Sequence, residues 1–191
     1  MDQDSSVPPE FVSRLREAAR SATAGGIQVG AVVPEWFAGV RQAHGRVTAA
    51  FGEARDVIQS GMLIPAEVVR SVGGLREDFF IDRVDTEFEL RVRCAGFQVV
   101  AAPGLRIGHS LGARYRREVF GRALRVPASA AVMTLSTPFR YFYRVRNRIV
   151  LNRLYWRKAP LRITRDTLLD VAHFVDAARV ARPRREMLRV M

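Results

Sequence analysis

The sequence contains little cysteine and histidine, and it has no long apolar run. Its 191 residues include one cysteine, Cys94, and three histidines. A single cysteine excludes a framework of internal disulfides and is typical of a reducing compartment, so we expect a cytoplasmic protein. The acidic start of the chain does not have the apolar centre of a signal peptide. The longest weakly polar run, residues 126–136, has about half the length of a membrane-spanning helix.

Lysine is also nearly absent, because Lys158 is the sole lysine and arginine supplies the other basic side chains. The formal net charge is +12, and residues 111–191 contain 19 basic against 5 acidic residues. Such one-sided charge favours an anionic partner, either a nucleic acid or the inner face of a membrane. The remaining interpretation is an ordinary surface on which a GC-rich genome encodes arginine in place of lysine.

In other respects the composition, with 48% hydrophobic and 26% charged residues, is that of one globular domain.

Helices are predicted from Pro9 to 24, from 65 to 72 and from 85 to 94. The chain beyond residue 112 is predicted to be mostly helical, with breaks at the prolines 127, 138 and 160. The predicted strands are 27–33, closed by Pro34, and 58–64, 97–101 and 105–109, with a loop at 35–53. This pattern predicts an α/β fold with too few strands for a complete doubly wound sheet.

The sequence begins with two aspartates one residue apart, Asp2 and Asp4. In an extended backbone this spacing places both carboxylates on the same side. Carboxylate pairs of this kind hold divalent cations through oxygen. Aspartate is also common in turns and at helix starts, so an ordinary turn is the alternative.

A second acidic candidate follows two aromatic residues in the stretch 79–87, with the sequence FFIDRVDTE. A carboxylate here, backed by the aromatic pair, can act as a general base. The alternative is helix capping, in which Asp82 or Asp85 caps a helix and Glu87 stabilises its positive end. Capping explains one of these acids better than it explains two.

The third candidate is His109, which follows a predicted strand and has glycines at positions 104, 108 and 112 around it. Glycine lets the backbone come close to a bound group. An imidazole together with carboxylates suits Mn²⁺ or Mg²⁺. The other histidines, His44 and His173, have no comparable setting and are interpreted as structural.

Five segments of the chain occur in the order of a known family: 2–5 (DQDS), 60–65 (SGMLIP), 72–87 (VGGLREDFFIDRVDTE), 108–110 (GHS) and 141–147 (YFYRVRN). Together they resemble the C-terminal portion of family 2 glycosyltransferases of the GT-A type, in particular bacterial rhamnosyltransferases of surface-polysaccharide synthesis. The resemblance covers most of the chain to about residue 157.

The resemblance implies an incomplete GT-A, Rossmann-like domain. In the family, a nucleotide-binding half of roughly a hundred residues precedes the Asp-x-Asp signature, and no such half precedes Asp4 here. Residues 1–125 would form the catalytic and acceptor part of the domain, and residues 126–191 a basic helical extension. We therefore expect a fragment that is inactive alone and needs its N-terminal half, supplied by a partner chain or a longer gene.

On the donor side, the resemblance implies an inverting transferase that takes rhamnose from dTDP-rhamnose. Asp2, Asp4 and His109 would bind Mg²⁺ or Mn²⁺ against the sugar-nucleotide diphosphate, where a cation stabilises the leaving group. At Ser60 and Gly61 the backbone would pass close to the donor sugar.

On the acceptor side, the resemblance implies a cell-surface polysaccharide or lipid-linked glycan. Asp85 would be the catalytic base that removes the acceptor proton, with Asp82 orienting the loop and Glu87 contacting the acceptor sugar. The Arg-rich helices beyond Asn147 could lie on the anionic inner face of the cell membrane.

Three alternatives remain open at this level: transfer of a different sugar, an inactive remnant, and an Arg-rich nucleic-acid-binding protein. The last would stack bases on Tyr141, Tyr143, Tyr155 and Trp156. It leaves the acidic stretch 78–89 unexplained, so no nucleic-acid partner is expected.

Overall fold

A computed structural model describes residues 5–46, 51–109, 114–116, 118–119, 122–123, 132–134 and 136–180. The chain divides into two compact units. The sheet unit comprises Met1–Asp78 and Val84–Ser110, and the helical unit comprises Phe79–Arg83 and Leu111–Met191. A functional boundary at residue 125 stays a prediction.

The sheet unit is built around a mixed six-stranded sheet with the order β3-β2-β6-β5-β4, in which β1 also pairs with β6. The central strands β2 and β6 are parallel, whereas the other pairs are antiparallel. The strands are β1 (Ser5–Ser6), β2 (Val29–Phe37), β3 (Val40–Arg41), β4 (Ala43–Arg46), β5 (Gly52–Ala54) and β6 (Gln98–His109).

The helices of the sheet unit pack into two separate apolar clusters. The bounds of these elements are α1 (Phe11–Ala24), α2 (Ala66–Val72), a 3₁₀ turn at Glu77–Phe79 and α3 (Val84–Cys94). One cluster joins α1 to Val32 and Val100, and the other joins α2 and α3 to Val33 and Val99. Because neighbouring residues of a strand face opposite sides of a sheet, α1 covers one face and α2 with α3 the other.

The three helices predicted for this unit are confirmed, since apolar residues at helical spacing bury one side of α1 through Phe11, Leu15, Ala18 and Ala22. The prediction that Pro34 closes its strand is wrong. β2 runs on to Phe37 because its pairing with β6 shifts register between Pro34 and Trp36, where a residue without an N–H can be accommodated.

Three other strand predictions are also wrong. The loop expected at 35–53 contains the end of β2 and the short strands β3, β4 and β5. The strand expected at 58–64 is a loop with a single bridge between Leu63 and Val32. The two strands expected at 97–101 and 105–109 are one continuous strand, β6, which passes through Pro103 and Gly104. Strand length therefore came from pairing with neighbours rather than from local sequence.

The helical unit contains two long helices, α4 (Pro138–Tyr155) and α5 (Pro160–Val180). Both begin at a predicted proline break, and the Thr137 hydroxyl accepts a hydrogen bond from the Arg140 N–H at the start of α4. The helical prediction is wrong for four short strands, β7 (Arg114–Arg116), β8 (Glu118–Val119), β9 (Arg122–Ala123) and β10 (Val132–Thr134). Pro127 lies outside the described residues. Among the described helices, none is both long enough and apolar enough to cross a membrane.

Candidate active site

The first strand, β1, follows Asp4 in the chain and pairs with the end of β6. In β1, Ser5 pairs with His109 and Ser6 pairs with Gly108. Asp4 precedes Ser5 directly in the chain, so backbone pairing brings the segment after the signature beside the position of the predicted imidazole. Asp2, Asp4 and the side chain of His109 lie outside the described residues, and their metal binding stays a prediction. The described residues alone contain no group of three His, Cys, Asp or Glu that could hold a metal.

The Ser60–Gly61 turn lies at the same place as β1. Ser60 is buried, and its hydroxyl oxygen is 3.4 Å from that of Ser5. The structure therefore brings together three of the segments singled out in the sequence: the one after Asp4, the turn at Ser60 and the end of β6.

Gly61 has a packing reason for lacking a side chain. Its φ is +78°, and a Cβ there would lie 2.9 Å from Cζ of Phe11 and 3.0 Å from Cδ1 of Ile107. Both the left-handed backbone and the close approach to the core require glycine. The predicted passage of the backbone close to a donor sugar stays a prediction, because the packing explains the glycine without it.

Replacing Gly61 with alanine is expected to lower the free energy of unfolding by about 1–3 kcal/mol, because the backbone is strained and the core is overpacked. Urea unfolding followed by circular dichroism measures the change. Gly39→Ala shares the positive φ but meets no atom of a described residue within 4 Å, and Gly74→Ala has neither feature. If Gly61→Ala costs no more than Gly39→Ala, close packing against Phe11 is not the reason for the glycine.

A cavity of about 440 Å³ lies beside β1 and is lined by Ser6, Glu10, Arg14, Gly104, Arg106 and Gly108, among others. Arg14 donates to the Pro103 carbonyl at 2.6 Å, and the Arg106 guanidinium lies 4.7 Å from the centre of the Trp36 ring. Two positioned guanidiniums make the wall suitable for a phosphate or another anion. The lining also contains the carboxylate of Glu10, so its charge is mixed.

A carboxylate near this cavity is held in its ionised form. The Gly104 N–H donates to Glu35 at 2.7 Å, and Arg41 lies 2.8 Å from the same carboxylate. The hydrogen bond from Gly104 is the main cause that keeps the pKa of Glu35 below its ordinary value, and burial opposes it. Glu35 of β2 thus holds the backbone of β6 at Gly104.

The predicted base, Asp85, lies in the first turn of α3. Its Oδ1 accepts a hydrogen bond from the Thr86 N–H at 2.8 Å, and the residue is half-buried. The contact is made to the next residue within the helix, whereas an N-cap side chain accepts from the N–H two or three residues further on. Its role as the base stays a prediction.

Glu87 is buried and forms an ion pair with Arg91. Its carboxylate lies 2.8 Å from Arg91, which also donates to the carbonyls of Val72 and Gly74 at 2.6 and 2.8 Å. The pair therefore ties α3 to the end of α2. Contact of Glu87 with an acceptor sugar stays a prediction, and the Glu-x-x-x-Arg spacing is the sequence signal for the observed pair.

In the helical unit, Asp82 is held by an arginine that the sequence analysis did not single out. Arg140 of α4 donates to both carboxylate oxygens of Asp82, at 3.0 and 2.8 Å. This bidentate pair raises the pKa of Arg140. No local pattern could have revealed the pair, because 58 residues separate the two partners.

The Phe79–Arg83 segment has an unusual backbone for residues other than glycine. Phe80, Asp82 and Arg83 have φ values of 56°, 61° and 66°, all in the left-handed region. The carboxamide of Asn147, fully buried in α4, donates to the carbonyls of Phe79, Ile81 and Asp82. Asn147 belongs to the YFYRVRN segment of the resemblance. Its contact with the Phe79–Arg83 segment was not predicted from the sequence.

An exposed aromatic group lies beside Asp82. Phe80 packs against Tyr143 and Phe139 with ring centres 5.3 and 6.2 Å apart.

The interpretation of His173 as structural agrees with its contacts. Its Nε2 lies 3.1 Å from the Tyr141 hydroxyl and 3.0 Å from an Arg144 nitrogen. Burial, and then the nearby Arg83, lowers the pKa of Arg144.

Comparison with known proteins finds a partial relative that covers about half of this chain. The chain is similar to the dTDP-rhamnosyl transferase RfbF of Shigella flexneri, with 34% identity over 96 residues. The aligned region covers 50% of this chain and 29% of the relative, so the chain spans less than a third of that protein. No protein-family model matches the chain, and no solved structure matches it.

Proposed function

We propose that this chain is part of an inverting glycosyltransferase of family 2, which moves a sugar from a nucleotide diphosphate to a hydroxyl group of a glycan. The observation that carries the proposal is the 34% identity over 96 residues with a dTDP-rhamnosyl transferase. Two features of the sheet unit support it, namely the convergence of β1, the Ser60 turn and the end of β6, and the arginine-lined cavity beside them.

The proposed donor is dTDP-rhamnose, and Asp2, Asp4 and His109 are the proposed ligands of Mg²⁺ or Mn²⁺. The pairing of Ser5 with His109 fits this set, because it brings the residue after Asp4 beside the histidine. Carboxylate oxygens and an imidazole nitrogen are suitable donors for either cation, and a bound cation would neutralise charge that develops on the leaving diphosphate.

In the proposed reaction, the acceptor hydroxyl oxygen attacks the anomeric carbon of the sugar. Asp85 accepts the hydroxyl proton as the new C–O bond forms. The bond from the anomeric carbon to the diphosphate breaks on the opposite face, and its electron pair leaves with the diphosphate. Asp82 orients the acceptor loop, Glu87 contacts the acceptor sugar, and Ser60 and Gly61 contact the donor sugar.

The proposed need for a nucleotide-binding half is tested by supplying that half. The chain is assayed alone and mixed with a separately expressed nucleotide-binding half, encoded upstream or taken from the Shigella relative. We expect transfer of labelled sugar only in the mixture, with dTDP-rhamnose preferred over UDP-glucose, and loss of transfer on chelation of divalent cations. Absence of transfer from every nucleotide sugar would contradict the proposed function, and turnover by the isolated chain would contradict the need for a second half.

We also propose peripheral contact of the helical unit with an anionic membrane on the cytoplasmic side, which suits a lipid-linked acceptor. The exposed apolar side chains of this unit include Trp156, Leu161, Leu168, Leu169, Val171 and Val175. Exposed basic side chains accompany them at Arg153, Arg157, Lys158, Arg165 and Arg179. An apolar face flanked by arginine suits the boundary between acyl chains and anionic headgroups.

Binding of this chain to vesicles that contain phosphatidylglycerol is expected to exceed its binding to neutral vesicles and to weaken as salt increases. Flotation of the protein with vesicles measures the binding. Replacing both Leu168 and Leu169 with serine is expected to weaken it, whereas serine at the exposed Val40 of the sheet unit serves as the control. Tighter, saturable binding to short DNA would instead favour the nucleic-acid alternative.

A further inference from the structure

The carboxamide of Asn147 makes an unusual set of contacts with the Phe79–Arg83 segment. Its Nδ2 lies 2.8 Å from the Phe79 carbonyl oxygen, 2.9 Å from that of Ile81 and 2.8 Å from that of Asp82. On its other side, Oδ1 accepts a hydrogen bond from Arg146 at 2.7 Å. The residue is 0% exposed. Its orientation is defined by chemistry, since only the NH₂ group can face three carbonyl oxygens.

The segment that Asn147 contacts has a backbone that its own sequence disfavours. Phe80, Asp82 and Arg83 are all left-handed, and the segment contains no glycine. Left-handed backbone in residues with a Cβ persists only where surrounding contacts impose it. The three hydrogen bonds from Asn147 are such contacts, because they join three carbonyls of this five-residue segment to one buried side chain.

Two side chains of this segment make contacts that glycine could not make. Asp82 is paired through both oxygens with Arg140, and Phe80 packs on Tyr143. The segment thus presents a carboxylate and an aromatic ring in one conformation. The next residue, Val84, begins α3, which contains the proposed base Asp85 in its first turn.

An asparagine is well suited to this position. Its amide has two N–H donors on a short stem, so one hydrogen is shared between two of the three carbonyls. Serine and threonine offer one donor, and aspartate at neutral pH offers none. Aspartate has nearly the same shape, so Asn147→Asp removes the donors and places negative charge against carbonyl oxygens without changing the volume.

We propose that Asn147 is a positioning residue, which holds the Phe79–Arg83 segment so that Asp82 is presented to the acceptor. The part of this inference that concerns the acceptor rests on the proposed function. The part that concerns the segment stands on the three hydrogen bonds and the left-handed backbone alone.

Hydrogen exchange of this chain tests the segment without any assay of sugar transfer. In Asn147→Asp, amide exchange within residues 79–83 is expected to become at least about tenfold faster. Without the three bonds to its carbonyls, the segment opens more often and its N–H groups are exposed to solvent. Exchange in α5 is expected to stay as in the wild type. Asn152→Asp is the matched control, because Asn152 also lies in α4 but its Oδ1 accepts from Thr167, which a carboxylate oxygen can also do. Unchanged exchange at 79–83, or equal acceleration throughout the helical unit, would overturn the proposal.

A second pair of variants separates backbone strain from lost ring contacts. Phe80→Gly removes the cost of the left-handed conformation, whereas Phe80→Ala keeps it, and both remove the ring. We expect Asn147→Ala to accelerate exchange less in the Phe80→Gly background than in the Phe80→Ala background. Equal acceleration in the two backgrounds would show that Asn147 does not impose the conformation.

In the reconstituted transferase, Asn147→Asp is expected to lower kcat/KM for the acceptor about tenfold or more and to leave KM for the nucleotide sugar unchanged. Equal change in both parameters, with exchange at 79–83 accelerated, would overturn the acceptor part. Failure of the wild-type mixture to transfer any sugar would contradict the proposed function instead, and the exchange result would still decide the role of Asn147 in the segment.

Discussion

Replacing Asp85 with asparagine is expected to lower kcat for sugar transfer by about 10²–10⁴-fold, the usual contribution of a general base. Asparagine keeps an oxygen that can accept from the Thr86 N–H, a contact of 2.8 Å in this structure. The start of α3 should therefore be retained while the group that accepts the acceptor proton is lost. Single-turnover rates of the reconstituted enzyme measure the chemical step, and the urea midpoint of the chain measures folding.

The matched control for this change is Glu67→Gln, which removes an acid from the first turn of another helix, α2. Its rate should stay within about twofold of the wild type, because it touches no proposed reactant. Asp85 is not the base if the variant keeps most of its activity, or if the lost activity parallels a lower urea midpoint.

Replacing Asp170 with alanine is expected to lower the free energy of unfolding of the helical unit by about 3–5 kcal/mol, as for other broken buried ion pairs. The carboxylate of Asp170 lies 2.6 Å from Arg148, and their side chains are 6% and 5% exposed. Arg83 also pairs with Asp170. Neither Nη atom of Arg148 has a hydrogen-bond partner among the described residues, so Asp170 supplies its compensating charge.

Asp176→Ala is the control on the same helix, since Asp176 is 34% exposed and lies 3.8 Å from a guanidinium nitrogen of Arg179. An exposed pair of this kind contributes about 1 kcal/mol or less. Urea unfolding followed by circular dichroism compares the two variants. Adding Arg148→Met to Asp170→Ala should recover part of the loss, because the buried charge of Arg148 is then removed, whereas Arg83 still lacks its pair with Asp170. Equal losses for Asp170→Ala and Asp176→Ala would disprove the role assigned to the buried pair.

The sequence by itself determined the helices of the sheet unit and the order of the five segments that carry the resemblance. Phe11, Leu15, Ala18 and Ala22 recur at helical spacing, and glycine follows the helix, so α1 was readable from local pattern. The segment order likewise led to the resemblance with glycosyltransferases, and a partial relative of that kind was found. Local patterns suffice for such features because the residues that cause them are neighbours in the chain.

Strand pairing was decided by the tertiary structure alone. The strands β3, β4 and β5 have two to four residues each, which is too short for any periodicity. β6 continues through Pro103 and Gly104 because β2 runs alongside it in parallel, and the register connects Trp36 with Arg106 beyond them. Pro103 and Gly104 fall within the register shift of this pairing, where a residue that cannot donate to the ladder is accommodated.

The candidate site likewise combines features that local sequence reveals with contacts that only the folded chain makes. The sequence identified the acids at positions 82, 85 and 87, but it could not tell which of them would be held by a distant partner. Asp82 is held by Arg140, and the backbone beside it by Asn147, across more than 50 residues of chain. Glu87 instead lies buried against Arg91. Residue types that can do chemistry are readable from sequence because they are local, whereas burial and long-range hydrogen bonds exist only once the chain has folded.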